Sequence, residues 1–347
     1  MQKQTKRIEL IDNFRAMAMI YVLFIHTLFW TFLFFEDIKS LFLVEMPLFF
    51  TITGMSHYFA RTDDLQRFYV SRLRRILLPY WICALLFILL NILSIKFHIL
   101  PLLDSNKVKI TDLIISWLNP FSEHINEVPY LNLATWFIPV YLCVCLIIPM
   151  LKSAFIKLNG KLKLIPALIL ILLNVLFSTI INVPNIVQST LFYAVFVYFG
   201  FYVVSSKNNL FCLTVSAISA VLLYLAHSSF TFDMQVNKFP PNMIFLVYNT
   251  FWIPIIFIFA KQIDNVLKLM CKFKPWLWIF TQFKDKCYTI FLYQPLAFIV
   301  SYIILRTILN LETFFTAHEI IGVMIYWLTV IVIGAGFGHL LGRFERL

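Results

Sequence analysis

Charge is what this sequence has least of. Asp, Glu, Lys and Arg make up 13% of its 347 residues, where soluble domains carry about 25%. That scarcity excludes a soluble domain beside the apolar runs that fill the chain. Glycine is also rare, at eight residues, and none forms a glycine-rich phosphate loop, which removes the nucleotide-binding motifs built on such loops. The six cysteines (Cys83, Cys143, Cys145, Cys212, Cys271 and Cys287) include no CxxC and no nearby histidine partner. Neither a disulfide framework nor a zinc site is indicated, and no metal is expected. There is no internal repeat and no low-complexity tract.

What the chain has in excess is hydrophobicity: 61% of residues are apolar and the mean hydropathy is +0.86. This composition predicts an all-α, polytopic membrane helical bundle that takes the whole chain, 1–347, as one integral-membrane domain with no additional soluble domain. Apolar runs fall at 13–35, 41–59, 76–95, 134–151, 164–181, 190–204, 210–226, 243–260, 287–305 and 320–341, which predicts about ten transmembrane helices. The charges test the count. With the N-terminus inside, 21 of the 28 cationic residues fall in inner segments and six in outer ones, so the positive-inside rule places both termini in the cytoplasm. The same distribution accounts for the net charge of +11 without nucleic acid as a partner; membrane lipid is the partner it predicts. The basic start before the first run resembles a signal peptide, but the run is too long and lacks a small-residue cleavage site, so it is expected to stay as the first helix. The long outer segment 96–133 holds an amphipathic piece around 110–118, expected as a lid or a re-entrant element. The inner segment 261–286 interleaves lysines with apolar residues, as a helix lying in an anionic interface would.

The first run carries ionisable residues where a span should carry none. Asp12, Arg15 and His26 share one helical stripe: eleven residues, about three turns and roughly 16 Å, separate Arg15 from His26. Asp12, three residues before Arg15, is spaced to pair with it. Charges inside a span cost roughly several kcal/mol unless they face a partner, cavity or ligand, so the stripe is a candidate functional site with the imidazole near mid-bilayer. Glu45 lies in the outer half of the second run, where it either supports His26 as a carboxylate supports a general base or snorkels to water. Pro47 and Gly54 are expected to loosen this helix beside a cavity. Arg72 and Arg75, three apart before Pro79-Tyr80, either set topology on a solvated loop or offer two guanidinium forks to a phosphate.

Taken together, Arg7 to Arg15, the Arg15-to-His26 spacing, Phe49-Phe50-x-x-x-Gly54, Arg72-x-x-Arg75 with Pro79-Tyr80, and Trp136-Phe137 resemble the acyltransferase family 3 membrane proteins over essentially the whole chain. The resemblance implies ten spans and an enzyme of the bacterial-type cytoplasmic (inner) membrane. It implies an O-acyltransferase, acetyl by preference, that takes the group from cytoplasmic acyl-CoA and places it on a sugar hydroxyl of an exported or cell-surface glycan on the outer side. Acyl-CoA, with acetyl-CoA first, is then the donor, and a glycan-synthesis complex is a possible associate. In these terms His26 is general base or acylated nucleophile, with Glu45 as its catalytic companion. Arg72 and Arg75, with Arg15, bind donor phosphates, and Asp12 supports Arg15. Two family features are missing: the histidine often found before Trp-Phe is replaced by Ala134-Thr135, and a late Ser-Tyr-x-Ile-Tyr-Leu-x-His reads Cys287 to Gln294. The rivals are a transporter or flippase of a glycan or lipid-linked sugar, against which the lack of inverted repeats counts, and a non-catalytic organiser of a polysaccharide synthase.

Overall fold

Each of the ten apolar runs contains a helix in the computed structural model, which describes residues 9–31, 36–60, 64–97, 110–122, 135–206, 209–228 and 231–345. Among these residues there is no strand, only an isolated bridge between Lys238 and Pro241. The main helices are α1 (Glu9–Trp30), α2 (Glu45–Phe59), α3 (Leu65–Phe97), α4 (Ile110–Leu118), α5 (Phe137–Lys157), α6 (Leu164–Thr179), α7 (Asn185–Ser205), α8 (Leu210–Ala226), α9 (Met234–Lys238), α10 (Met243–Ile258), α11 (Ala260–Met270), α12 (Lys274–Asp285), α13 (Cys287–Tyr302) and α14 (Glu319–Leu341). Seven helical segments are long and apolar enough to cross a bilayer, or eight if α10 and α11, bent by 63° at their junction, form one broken span. The α2 and α8 helices, at 15 and 17 residues, are shorter than that standard, which is where the expected ten and the observed seven or eight part company.

The chain divides into two units, one from 1–65 and 143–284, the other from 66–142 and 285–347. In the first, α2 and α7 meet backbone to backbone. A Cβ placed on Gly54 would stand 2.0 Å from the Val197 carbonyl oxygen, and one on Gly200 would stand 2.2 Å from that of Thr51. In lipid the solvent is as apolar as the side chains, so close backbone approach through small residues is what drives helices together. Gly54 is therefore the contact point of this crossing, rather than a loosening beside a cavity. Phe50, one turn earlier, is fully buried and stacks on Tyr193 at 4.3 Å, which gives the Phe-Phe-x-x-x-Gly spacing a packing role. Farther along, Lys152 on α5 donates to the Ala60 carbonyl just past α2, satisfying one of the orphan acceptors of that helix end.

In the second unit α3 is 33 residues, roughly 50 Å, so it exceeds the bilayer core on its own. The α4 helix lies against its middle. Tyr80 donates to the Ser116 carbonyl, Trp81 Nε1 to that of Leu118 at 3.3 Å, and Trp117 Nε1 back to that of Trp81 at 2.9 Å. Tyr80 stands seventeen residues, about 25 Å, before Phe97, where α3 ends. Ile114, Ile115 and Leu118 are exposed on the outer face of α4, and its last carbonyls, which no later turn of the helix can satisfy, receive donors from α3. In the same unit Glu345 accepts from the amides of Tyr288 and Thr289 and from the Thr289 hydroxyl, capping the N-terminus of α13.

Candidate active site

The stripe on α1 forms as expected at its N-terminal end. Arg15 pairs with Asp12 at 3.4 Å across one helical turn and donates to the Ser56 hydroxyl of α2 at 3.2 Å. Asp12 is 5% exposed and the Arg15 side chain 27%, so the guanidinium is held between two helices with part of its surface still open. Between them in sequence, Asn13 donates to the Asp264 carboxylate on α11 at 2.7 Å, and Lys268 pairs with the same carboxylate at 2.7 Å one turn on. Desolvation pulls the Asp264 carboxyl upward, but hydrogen bonds from Lys268 and Asn13 outweigh it and hold the group below the ordinary carboxylate range. Lys268 is correspondingly held above the usual lysine range by its hydrogen bond to Asp264. No local pattern marks Asn13 or Asp264, which lie 251 residues apart.

His26 is half-buried and stacks on Trp30, with ring centroids 4.7 Å apart and planes inclined by 13°. The α1 helix ends at Trp30, so the imidazole stands one turn from its C-terminal end and not at its middle. Thr27 and Thr31 on that last turn bond back to the carbonyls of Leu23 and Thr27, both at 2.8 Å, which satisfies hydroxyls that have no water to turn to. The stacking fixes the plane of the imidazole ring, as an acid–base group needs.

The α2 helix runs antiparallel to α1. Arg15 is level with Ser56, and the Tyr21 hydroxyl donates to the Phe42 carbonyl at 2.7 Å, just ahead of Glu45. Glu45 is therefore level with α1 near Tyr21, five residues before His26. Its carboxylate is 1% exposed and pairs at 2.5 Å with Lys238, the last residue of α9 and itself 6% exposed. The second carboxylate oxygen is buried without a hydrogen-bond partner among the described residues. Lys238 reads in the sequence as one of a few outer cations; nothing local announces that it is the counter-ion of Glu45, 193 residues away. Around the pair, Gln188 donates to the Pro241 carbonyl at 2.9 Å and the buried Asn237 to those of Thr231 and Asp233 at 2.8 Å, which locks the loop that presents the lysine. His57, near the end of α2, is only 2% exposed.

Arg72 and Arg75 belong to the second unit. Arg72 is half-buried, its guanidinium 5.6 Å from the centre of the Phe68 ring, while Arg74 and Arg75 are exposed. The ring contact orients Arg72 along α3 at the cost of little freedom, a cation–π pair of about 0.5–1 kcal/mol. Trp136 and Phe137 meet edge to face at 6.4 Å, and Phe137 packs on Phe291 at 5.2 Å, so the Trp-Phe of the fourth run anchors α5 to α13. At the place of the late family histidine, Gln294 is fully buried.

Compared with known families, residues 8–339 match the model for an acyltransferase domain, the family that the motifs resemble. No curated protein matches the chain, and no solved structure does.

Proposed function

The chain belongs to this acyltransferase family and is an acyltransferase, and from that premise we propose that it moves an acyl group, acetyl by preference, from cytoplasmic acyl-CoA to a sugar hydroxyl of an exported or cell-surface glycan. The observation that supports it best is on α1: a half-buried imidazole stacked on Trp30, on one stripe with a guanidinium fixed by Asp12 and Ser56. An acyl transfer of this kind needs a base for the attacking hydroxyl and an acid for the leaving thiolate, and one histidine serves both. His26 takes the proton from the sugar hydroxyl as its oxygen attacks the thioester carbonyl carbon. The C–S bond breaks, and the imidazolium returns the proton to the CoA thiolate. In the second route a ring nitrogen of His26 attacks the thioester carbonyl first, the C–S bond breaks, and CoA leaves as the thiol with the proton of the other ring nitrogen; the hydroxyl oxygen then takes the acyl group as the N–acyl bond breaks, and its proton returns to the imidazole. Glu45, its carboxylate fixed by Lys238, is assigned the companion proton-handling role on the acceptor side. Arg72 and Arg75 are assigned the donor phosphates, which guanidinium forks bind in bidentate fashion. Asp12 supports Arg15, which joins that donor function. A bacterial-type cytoplasmic membrane is the setting in which these sides make sense, and a glycan-synthesis complex is the associate that would deliver acceptor.

The test is the purified protein in nanodiscs with radiolabelled acetyl-CoA, wild type against His26→Ala. Thiol release by the wild type and its loss in a monodisperse His26→Ala protein are expected. Label on wild-type protein without acceptor, absent from His26→Ala, selects the acyl-imidazole route. Equal thiol release by both proteins would overturn the assignment of His26.

A further inference from the structure

The first unit holds a cleft of about 180 Å³ formed by α6, α7, α8 and α10. It is separate from the stripe on α1 and from Glu45, none of whose residues line it. Its wall is entirely apolar. Leu164, Leu168 and Ile171 of α6 face Phe199 and Tyr202 of α7 and Phe211 of α8, with Thr250 and Pro254 of α10 completing the floor. From Leu164 to Ile171 the groove follows α6 for about 10 Å. Leu168 is 61% exposed, so the groove opens sideways on a helix that qualifies as a span, toward hydrocarbon.

One end of the groove is different. Leu164 directly follows the turn Gly160–Lys163, which carries Lys161 and Lys163 at the positive end of the α6 dipole, with Lys157 at the end of α5 before it. The wall and this turn are joined: the Tyr198 hydroxyl, on a lining residue, donates to the Lys163 carbonyl at 2.7 Å. The Lys163 ammonium stands 4.5 Å from the centre of the Phe155 ring on α5, which ties the turn to the neighbouring helix. A carbon-lined groove as long as several methylenes, whose first lining residue directly follows a turn carrying two lysines, matches a molecule with an alkyl chain at one end and an anionic group at the other.

We propose that this cleft binds one acyl chain of an anionic phospholipid whose phosphate-bearing headgroup rests on Lys161 and Lys163. The charge complementarity chooses this occupant over a zwitterionic lipid: lysines near a bilayer surface attract anionic headgroups, and a groove without polar lining supplies no other selectivity. The site is a property of the membrane unit and does not rest on the acyltransfer reaction.

The experiment uses full-length protein in phosphatidylcholine nanodiscs containing a small fraction of phosphatidylglycerol with a diazirine on its acyl chain, compared with phosphatidylcholine bearing the same chain. Photolabelling should concentrate in peptides covering 164–171 and 195–202, several-fold higher for the glycerol headgroup. Ala167→Phe and Val215→Phe, which enter the cleft from different helices, should each reduce that labelling several-fold without changing it elsewhere, in protein that stays monodisperse by gel filtration. Lys161→Ala with Lys163→Ala should remove the headgroup preference and leave phosphatidylcholine labelling in place. Labelling of these peptides no stronger than on the remaining lipid-facing helices would overturn the site. Equal labelling by the two headgroups in the wild type would overturn the anionic assignment.

Discussion

Removing one member of the Glu45–Lys238 pair should harm the protein more than removing both. The two side chains are 1% and 6% exposed and 2.5 Å apart, so each is the other's main compensation for desolvation. Breaking such a pair by deleting one partner typically costs about 3–5 kcal/mol, because the remaining charge stays buried. Lys238→Met and Glu45→Gln are therefore each expected to lose about that much. If the effects were independent, the double variant would lose roughly 6–10 kcal/mol, the sum of two such losses. With the charge gone from both sides, only a neutral amide is left short of a partner, a cost of about 1–3 kcal/mol. Thermal unfolding of the four proteins in one detergent, supported by denaturant titration, measures this. The double variant should unfold above Lys238→Met. Additive losses, or a Lys238→Met protein indistinguishable from wild type, would refute the idea that the lysine compensates a buried carboxylate.

Other outcomes follow from the same contacts. Gly54→Ala and Gly200→Ala force a Cβ to within 2.0 and 2.2 Å of backbone oxygens that cannot move aside; each should destabilise by more than about 3 kcal/mol, the upper end for overpacking, seen as loss of monodisperse protein. Asp264, held below the ordinary carboxylate range, adds stability above the unfolded pKa near ~3.9 that is lost as pH falls through its folded value. The fall in unfolding temperature between about pH 5 and 3 should thus be shallower in Asp264→Asn than in wild type. For the donor site, Arg72→Ala and Arg75→Ala should raise KM for acetyl-CoA by about tenfold each, one charge-assisted contact of ~1.5 kcal/mol, with the exposed Arg74→Ala unchanged as control.

The helices were readable because hydropathy is a local property: α1, α6, α7, α13 and α14 sit on the runs that composition marked, with ends moved by a few residues. Where the expected count and the qualifying helices differ, length is the reason. The α2 helix begins at Glu45 after a break at Leu43 and Val44, so its run from residue 41 yields 15 helical residues. The position of α4 was only half readable. Its amphipathic pattern named a short helix, but nothing near 110–118 says that Tyr80 and Trp81 cap it at mid-α3. The Asp12–Arg15 pair was fully readable, since i and i+3 on one helix are neighbours by construction. Pairs formed by the fold, Glu45 with Lys238 and Asn13 with Asp264, were not.

The lysines show why the site is harder to read than the topology. Counted along the sequence, a cation is a vote for the inner or outer face, and the vote does not depend on what the ammonium touches. In the structure Lys152 donates to the carbonyl after α2, Lys286 to the Gly342 carbonyl at 2.5 Å, and Lys238 to Glu45. Each meets a group that lipid would leave unsatisfied: two helix-end carbonyls and one buried carboxylate. Inside a membrane such groups are costly wherever they lie, so a cation near one is drawn to it irrespective of the face it marks. Arg15 follows the same logic. Its contacts with Asp12 and Ser56 join the first turns of α1 to the last turns of α2, so Arg15→Lys, which keeps the charge but loses the planar fork, separates the two roles assigned to it. A loss confined to the KM for acyl-CoA, with unfolding temperature unchanged, assigns Arg15 to the donor. A drop in unfolding temperature with KM unchanged assigns it to the helix pair alone and removes it from the donor site.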